Sequence, residues 1–551
     1  MAILGLFSFS VFAQKEETPK GWHMLDQAGG GYYGLSVDKA YEFVKAKKLK
    51  SKTVIVAVID SGIDTTHEDL KPVLWRNPRE VAGNGIDDDK NGYVDDIYGW
   101  NFLGGRDGRN VEQDSYEAAR VYHKYKTKYD GKEIDISKLS KEEAWEYNMW
   151  KRSENQIVGD SKSGALELMM IRRFYNASLK NDSILRKAMG KEKFTGKELE
   201  AFEPKDEEAR KAKAGLLPLF QGNDAMDANN QEFLEGFGDY VNGEEKKAEA
   251  GNTPPKKYRA DIVQDNYEDF NDKYYGNNNV HVSNKSALHG THVSGIIAAA
   301  RKNGLGMDGI ADNVKIMTLR AVPDGDEHDK DIALAIRYAV DNGAQVINMS
   351  FGKGFSPEKH WVDEAVKYAE TKGVLLVHAA GNDAKNIDTT HNFPSPVFKD
   401  GYRAPNWLTV GASGDPKIGG YTANFSNYGK QEVDVFAPGV KIYSTVPGGN
   451  TYQNLQGTSM ASPVVAGLAA FILEYYPNLS AEQVKMVIEK SAKKPTEKVK
   501  NPETGDMVDL SEISKSGGLV NAYEAIKLAS TIKGNRKAPA TKSVVNPKPK
   551  S

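Results

Sequence analysis

Four polar residues stand where the sequence changes from one predicted element to the next, and together their side chains could perform acyl transfer. Asp60 ends one apolar run, Asn382 follows another, and His289 and Ser459 both adjoin apolar helical stretches. An acyl-transfer site needs a nucleophile, a base, a group that orients the base, and hydrogen-bond donors for the oxyanion. A serine can attack once a base removes its proton, and an imidazole that titrates near neutral pH suits this task.

Two further components complete such a site. A carboxylate on the other ring nitrogen of the histidine fixes the tautomer and stabilises the imidazolium. A helix N-terminus supplies backbone N–H groups and a partial positive charge to the oxyanion. Each residue alone also has an ordinary interpretation, because a serine at a helix start is commonly a cap, a lone histidine a core residue, and Asp60 or Asn382 a turn former.

The surroundings of Ser459 favour the chemical interpretation. The segment at 454–473 reads "NLQGTSMASPVVAGLAAFIL", in which small residues precede a long apolar helix. We expect Pro463 to lie in the first turn of this helix, where a missing N–H has no cost. We also expect His289 to stand at the start of its helix. The small residues then leave room for a substrate backbone to approach the hydroxyl.

Alternating strands and helices must position these residues. Five short apolar runs have the character of buried parallel strands: "KTVIVAVID", "VKIMTLRAV", "QVINMS", "VLLVHAAGN" and "WLTVGAS". Between them lie helical periods such as "DKDIALAIRYAVDNG", closed by a glycine at the helix end. The alternation predicts a mainly parallel α/β sheet whose functional groups lie at the carboxyl ends of the strands.

The alternation breaks between about residues 106 and 279. This block is rich in Lys, Glu and Tyr and contains helical stretches. Leu166, Met169, Met170 and Phe174 recur at helical spacing, so we expect part of the block to pack. We interpret the block as a mostly helical, charged insertion on the α/β core rather than an independent domain.

The motifs resemble those of a known family. The order Asp, His, Ser, carried by "VAVIDSGID", "HGTHVSGIIAA" and "GTSMASPVVAG", is similar to that of the subtilase family of serine peptidases. The resemblance covers about residues 52–103 and 280–529 and extends to "INMSFGKG", "HAAGND" and "ANFSNYG". It implies a three-layer subtilisin-like fold with helices on both faces of the sheet. It also implies a secreted serine endopeptidase that forms an acyl-enzyme.

The resemblance assigns roles residue by residue. Ser459 matches the nucleophile, His289 the general base, Asp60 the residue that orients the base, and Asn382 the side-chain oxyanion donor. The backbone N–H of Ser459 would be the second donor, and His292 matches a structural position. The matching segments for substrate binding are an edge strand (Ser350, Phe351 and Gly352) and a wall of the pocket for the side chain before the scissile bond (Ala379, Ala380 and Gly381).

A second candidate site lies in the acidic loop "NGIDDDKNGYVDD". Its alternating oxygen-bearing residues followed by Gly92 match the first half of an EF-hand loop, and hard oxygen ligands suit Ca²⁺. The twelfth position is Tyr98 rather than Glu, so a bidentate ligand must come from elsewhere. The alternative is a solvated turn rich in Asp and Asn. The candidate ligands are Asp87, Asp89, Asn91, Tyr93, Asp95 and Asp96.

Composition excludes several classes of function. The chain has 551 residues, a net charge of −3 and no cysteine. The near-neutral charge argues against a general nucleic-acid or membrane-surface binder. The absence of cysteine excludes disulfides, thiolate chemistry and cysteine-ligated zinc. We expect a polypeptide substrate, no nucleic acid, no organic cofactor and no membrane span, with the insertion a candidate to bind a partner or to gate access.

The N-terminus predicts export. An apolar stretch at residues 2–12 is followed by Ala13 and a polar break, and Val11 with Ala13 fits a signal-peptide cleavage pattern. We therefore expect a secreted, periplasmic or cell-envelope protein. The predicted organisation is a signal peptide at 1–13, a lead-in at 14–51, a peptidase domain at 52–105 and 280–530, the insertion at 106–279, and a disordered basic tail at 531–551.

Two alternatives to a general endopeptidase stay open. One is a catalytically inactive protein that uses the subtilase fold for binding. The other is a processing protease of narrow specificity, in which the insertion gates access to the site.

Overall fold

Short apolar, β-branched segments form the strands, as the sequence predicts. The computed structural model describes residues 18–222, 225–226 and 228–536. The predicted signal peptide at 1–13, and the predicted tail from residue 537 onward, lie outside the described residues. The strands are β1 (Val54–Asp60), β2 (Gly99–Asn101), β3 (Val314–Arg320), β4 (Val346–Met349), β5 (Leu375–Ala379), β6 (Trp407–Ser413), β7 (Val435–Pro438), β8 (Ile442–Val446), β9 (Thr451–Leu455), β10 (Val499–Lys500) and β11 (Met507–Val508).

Seven of these strands form one sheet in the order β2-β3-β1-β4-β5-β6-β7, and every neighbouring pair is parallel. Strand β1 is central, with Val56 paired to Ile316 of β3 and to Val346 of β4. The other strands form two antiparallel pairs, β8 with β9 and β10 with β11. The predicted α/β fold with a mainly parallel sheet is confirmed, and the carboxyl ends of the strands share one edge.

Helices connect the strands and cover both faces of the sheet. Three short 3₁₀ helices lie at Trp22–Met24, Lys71–Val73 and Ile136–Lys138. The α-helices are α1 (Gln27–Gly30), α2 (Val37–Ala46), α3 (Glu117–Tyr129), α4 (Lys141–Met189), α5 (Gly196–Ala201), α6 (Glu207–Gly222), α7 (Asn230–Glu249), α8 (Tyr258–Ile262), α9 (Asn284–Ala298), α10 (Asp329–Asp341), α11 (Lys359–Thr371), α12 (Thr458–Tyr475), α13 (Ala481–Ser491), α14 (Leu510–Ile513) and α15 (Ala522–Ala529).

The period of two in β1 divides its side chains between two apolar cores. Val56 and Val58 pack in the core that contains α9 and α12. Ala57 and Ile59 pack in the core that contains α10 and α11. The result is three layers, helix, sheet and helix. Burying a valine or isoleucine side chain stabilises the fold by about 1.5–3 kcal/mol.

Helix α12 is apolar because it lies inside the protein. It is the one helix among the described residues that is long and apolar enough to cross a bilayer, and 89% of that stretch is buried. Its residues pack against β4, β5 and β6 in the first core. This burial is the property of a core helix.

The chain divides into two compact units, Met1–Gln113 with Tyr258–Ser551, and Asp114–Lys257. The sheet and both of its cores belong to the first unit. Residues 106–113 and 258–279, which we included in the predicted insertion, cluster with this first unit.

The second unit is helical and has a core of its own. Helix α4 begins at a capping box in which Ser140 and Glu143 satisfy each other's backbone N–H groups, and it ends at Gly190 in a left-handed conformation. Helices α5, α6 and α7 contribute to a buried cluster of seven residues. These are Leu185, Phe194, Leu199, Ala212, Leu216, Phe220 and Leu234.

Part of the block packs, as we expected, but Met169, Met170 and Phe174 are not in its buried cluster. Their exposed fractions are 62%, 51% and 58%. They do lie on a helix, but Tyr175 is the residue of this stretch whose ring contacts Phe237 of α7, 5.3 Å away. The spacing therefore predicted the helix correctly but not which of its sides the neighbouring helix would cover.

Candidate active site

The end of β1 and the second turn of α9 bring Asp60 and His289 together. His289 Nδ1 lies 2.8 Å from Asp60 Oδ1, and the backbone N–H of Ser61 donates to the same oxygen at 2.7 Å. The helix approaches the strand closely at Gly290, where a Cβ would lie 2.2 Å from the carbonyl oxygen of Gly62. With Nδ1–H donating to Asp60, the other ring nitrogen, Nε2, is left as the basic atom.

Two opposing effects set the pKa of His289. Burial lowers the pKa, while the charge of Asp60 and its hydrogen bond raise it, and the result lies above the ordinary value of 6.5. The His289 side chain is 36% exposed, whereas that of Asp60 is 2% exposed. The imidazole is thus bonded to a buried carboxylate on one side and is exposed to solvent on the other.

The expected position of His289 at a helix start is wrong. Helix α9 begins at Asn284, because Ser283 caps it and forms a capping box with Ser286. His289 is therefore the sixth residue of the helix. Its backbone N–H group is not one that an oxyanion could use.

Ser459 is the second residue of α12, directly after the N-cap residue Gly457 and Thr458. Its hydroxyl donates to the carbonyl oxygen of Ser350 at 3.1 Å, where β4 has just ended. Among the described residues, no hydrogen bond joins Ser459 Oγ to His289. Strand β4 is the neighbour of β1, so the serine and the Asp60–His289 pair lie at the ends of adjacent strands.

Pro463 lies in the second turn of α12, not in the first turn as we expected. In an α-helix the N–H of this position would bond to the carbonyl four residues earlier, which is that of Ser459. Proline has no N–H, and the hydroxyl of Ser350 donates to the Ser459 carbonyl instead, at 2.9 Å. Because of the proline, the Ser459 carbonyl accepts its hydrogen bond from Ser350, which directly follows β4, rather than from within the helix. Ser350 and Ser459 are thus joined by two hydrogen bonds.

The Asn382 side chain is oriented by Thr458. Asn382 Oδ1 accepts from the backbone N–H of Thr458 at 2.9 Å and from its hydroxyl at 3.0 Å. The Thr458 hydroxyl in turn accepts from the backbone N–H of Gly381 at 3.1 Å. Because the carbonyl end of the amide is engaged, Nδ2 is the end available to donate next to Ser459. Thr458 was not among the predicted site residues, although it lies in the quoted motif beside Ser459.

The two predicted substrate-binding segments follow β4 and β5. Ser350 is buried, Phe351 is partly buried, and the carbonyl of Phe351 accepts from His378 Nε2 at 2.8 Å. Ala379 and Ala380 are buried, and Gly381 has a φ of 99°. Gly352 completes the first segment.

Asn392, which the sequence analysis missed, contacts the second segment. Its Nδ2 donates to the carbonyls of Ala379 and Ala380 at 3.2 and 2.9 Å. No local pattern marks this residue, because it reaches the site from a loop 12 residues further along the chain.

His292 is buried one helical turn beyond His289, and its Nε2 lies 3.0 Å from the carbonyls of both Ile442 and Gln453. Burial lowers its pKa to about 3. A neutral ring bonded to two backbone carbonyls suits the structural role that the resemblance implied for this residue.

The acidic loop brings together two of the predicted metal ligands and one residue that we missed. Glu80, Asp87 and Asp89 each place a carboxylate oxygen within 4.8 Å of the others. Glu80 Oε2 is buried and has no hydrogen-bond partner among the described residues, while Oε1 accepts from the backbone N–H of Asp89 at 3.0 Å. Arg79 Nη2 also lies 2.9 Å from Asp89 and neutralises part of the local charge.

The other predicted ligands have different surroundings. Asp95 accepts the backbone N–H groups of residues 83, 84 and 85. Asp96 accepts from Asn91 and from the buried Tyr338, and burial raises its pKa to about 6. Tyr93 is buried with its ring against Tyr338. Asp95 and Asp96 thus hold the loop in shape and lie outside the carboxylate cluster.

Comparison with known proteins identifies the family of this chain. The model of the subtilase family matches residues 51–509. A thermophilic serine proteinase of Bacillus sp. (strain AK1) is 43% identical over 209 residues, which are 37% of this chain and 47% of that protein. Subtilisin DY of Bacillus licheniformis is 42% identical over 201 residues, 36% of this chain and 67% of that protein.

A cell wall-associated protease of Bacillus subtilis (strain 168) is 35% identical over 226 residues, 41% of this chain and 23% of that protein. The chain thus spans less than half the length of two of these three relatives. The family model, in contrast, covers most of the chain. The chain belongs to the subtilase family.

Proposed function

We propose that this protein is a secreted serine endopeptidase that hydrolyses peptide bonds through an acyl-enzyme on Ser459. The observation that carries the proposal is the 2.8 Å hydrogen bond between Asp60 and His289 at the end of β1. The neighbouring strand, β4, ends directly before Ser350, whose carbonyl accepts from the Ser459 hydroxyl. Family membership supports the same chemistry. The apolar residues 2–12 and the name of the cell wall-associated relative support export.

In the proposed first step, the Ser459 hydroxyl breaks its hydrogen bond to the Ser350 carbonyl and rotates to donate to His289 Nε2. The oxygen attacks the carbonyl carbon of the scissile peptide bond while Nε2 takes the proton. Asp60 stabilises the imidazolium that forms. Asn382 Nδ2 and the backbone N–H of Ser459 donate to the oxyanion, assisted by the N-terminus of α12.

In the second half of the reaction, the tetrahedral intermediate collapses. The C–N bond breaks, and the imidazolium gives its proton to the leaving amine. Water then attacks the carbonyl carbon of the ester and gives a proton to His289. The C–O bond to Ser459 breaks, and the imidazolium returns this proton to the serine oxygen. Release of the carboxylic acid product restores the Ser459 hydroxyl.

Hydrolysis by single variants tests this proposal. Ser459→Ala should lower kcat for a peptide substrate by about 10⁶-fold, since removing a triad nucleophile has this effect in related enzymes. Ser511→Ala, which removes an exposed hydroxyl elsewhere, should change nothing. Equal activity of Ser459→Ala and wild type would refute the proposal. A wild-type protein that is folded but never cleaves any peptide would favour the inactive binding protein.

We also propose that the acidic loop binds a structural Ca²⁺ through Glu80, Asp87 and Asp89. The unpartnered buried oxygen of Glu80 supports this, because a buried carboxylate oxygen without a donor is costly unless a cation binds it. Three carboxylates in one cluster suit a hard divalent cation. Asn91 lies in the same loop, its backbone N–H bonded to Asp87 and Asp89.

Thermal unfolding in Ca²⁺ and in chelator checks this prediction. An ion that binds only the folded state at 100 times its Kd adds about 2.7 kcal/mol, so chelation should lower Tm by roughly 3–8 °C. Glu80→Gln should remove most of this difference, whereas Glu68→Gln, on an exposed carboxylate outside the cluster, should preserve it. A Tm that ignores both Ca²⁺ and chelator would contradict the proposed site.

A further inference from the structure

The side chain of Asn392 bridges the two predicted substrate-binding segments. On one side its Nδ2 donates to the carbonyls of Ala379 and Ala380. On the other side its Oδ1 faces Gly352, where an added Cβ would lie only 2.4 Å away. One amide therefore contacts the backbones that follow β4 and β5.

This position leaves little free space between the segments. A Cβ added at Gly381 would lie 3.8 Å from Asn392 Nδ2, so the same amide also lies near the last residue of the second segment. The side chain is partly buried and fixed by two hydrogen bonds, and a large substrate side chain could enter only by displacing it. Such displacement would remove the Asn392 donor from both carbonyls, although the Ala380 carbonyl would keep the hydrogen bond from Asn427 Nδ2 at 2.9 Å.

Asn392 also lines a cavity of about 270 Å³. His378, Thr409 and Glu432 are among the residues that line it, and Asn392 forms part of its wall. None of the six residues predicted to bind substrate lines this cavity. Asn392 thus contacts both substrate-binding segments and also lines a space large enough for an aromatic side chain.

We propose that Asn392 closes the pocket for the side chain before the scissile bond and restricts cleavage to sites after small uncharged residues, namely Gly, Ala and Ser. The inference rests on the proposed endopeptidase function, because it concerns the substrate of the same site. Asn392 acts as a specificity-determining residue, and its volume, rather than its chemistry, excludes larger side chains.

Peptides that differ only in the residue before the scissile bond test the inference. For the wild type, kcat/KM with Ala should exceed that with Phe by about 10- to 100-fold, the range that pocket fit supplies. Asn392→Gly joins the cavity to the pocket, so the preference should shift toward Phe by at least about tenfold. Thr390→Gly removes a side chain that lines the same cavity but leaves Asn392 in place, so this control variant should keep the preference for Ala.

The outcomes separate the two proposals. Failure of every peptide to be cleaved, with no fluorophosphonate label on Ser459, would count against the endopeptidase function itself. Cleavage with Phe equal to or better than Ala in the wild type would overturn only the role of Asn392. An unchanged preference in Asn392→Gly that still labels at Ser459 would overturn it as well.

Discussion

At the scale of the residue, the Asp60 carboxylate controls the charge of His289. Burial alone would lower the pKa of the imidazole, and the buried carboxylate 2.8 Å away more than compensates. The base is neutral only above this raised pKa. The same carboxylate that orients the ring therefore also sets the pH range in which the proposed base can accept a proton.

The pH dependence of kcat/KM should report this raised pKa. A protonated His289 cannot accept the proton of Ser459, so activity falls as the pH is lowered through the pKa of the free enzyme. We expect the midpoint of this acid limb to lie above 6.5, the ordinary value for histidine. Hydrolysis of one peptide measured from about pH 5 to about pH 9 checks the prediction, and a midpoint clearly below 6.5 would contradict it.

Asp60→Asn should both slow the enzyme and move this limb. The amide keeps the size of the side chain but favours the wrong tautomer of His289, and kcat should fall by about 10⁴-fold, as in other triads. Without the negative charge, burial dominates, so the acid limb should shift to lower pH. A variant with near wild-type kcat, or with an unshifted limb, would show that Asp60 does not act on His289.

At the scale of the element, the start of α12 depends on the sheet for its hydrogen bonds. Pro463 cannot donate to the carbonyl of Ser459, and the hydroxyl of Ser350 takes this place. Ser350 Oγ also accepts from Asn348 Nδ2 at 2.9 Å, and Asn348 Oδ1 accepts from Ser462 at 2.8 Å. A buried polar network thus fixes the helix start against the end of β4.

Ser350→Ala should destabilise the protein by about 1–3 kcal/mol, the cost of leaving buried polar groups without partners. In a Pro463→Ala background the loss should be smaller, because the alanine introduced there has an N–H that can donate to the Ser459 carbonyl. Calorimetric unfolding of the wild type, both single variants and the double variant gives the coupling between the two positions. An equal loss in both backgrounds would mean that the Ser350 hydroxyl does not substitute for the missing N–H.

The pattern of apolar residues and the residues that flank each run were enough to predict most of the strands of the sheet. All five quoted runs contain strands, and "WLTVGAS" coincides with β6. Strands β2 and β7 of this sheet were not among the five predicted runs. Strand β2, Gly99–Asn101, has three residues and is too short to carry a period. The second-turn positions of His289 and Pro463 were missed because they depend on where each helix begins.

The candidate site was predictable where a local motif carries it. Asp60, His289, Asn382 and Ser459 all stand in quoted motifs, whereas Asn392 has no such signal. Glu80 lies seven residues before Asp87, outside the loop pattern that suggested a metal. Contacts of this kind arise only when the chain folds and brings distant segments together.

At the scale of the whole molecule, every residue of the candidate active site belongs to the first unit. The two segments of the first unit that precede and follow the second unit in sequence contact each other, because Arg109 Nη2 donates to the carbonyl of Asp261 at 2.9 Å. The second unit has its own buried core. We therefore expect that residues 114–257 can be removed without loss of the sheet.

Replacing residues 114–257 by about six Gly and Ser residues, which reach roughly 20 Å when extended, should leave a folded first unit. This variant should still react with a fluorophosphonate at Ser459. An aggregated product that does not react would contradict the independence of the first unit. Cleavage of unrelated proteins by the variant but not by the intact chain would support gating by the insertion, and identical cleavage by both would exclude it.

Covalent labelling by a fluorophosphonate tests the central claim most directly, because the reagent reacts with a serine hydroxyl that a base has activated. Mass mapping of the labelled wild type should place one adduct on Ser459, with labelling strongly reduced in His289→Ala and absent in Ser459→Ala. A folded wild type that takes up no label, or that carries it on another residue, would contradict the assignment of Ser459 as the nucleophile.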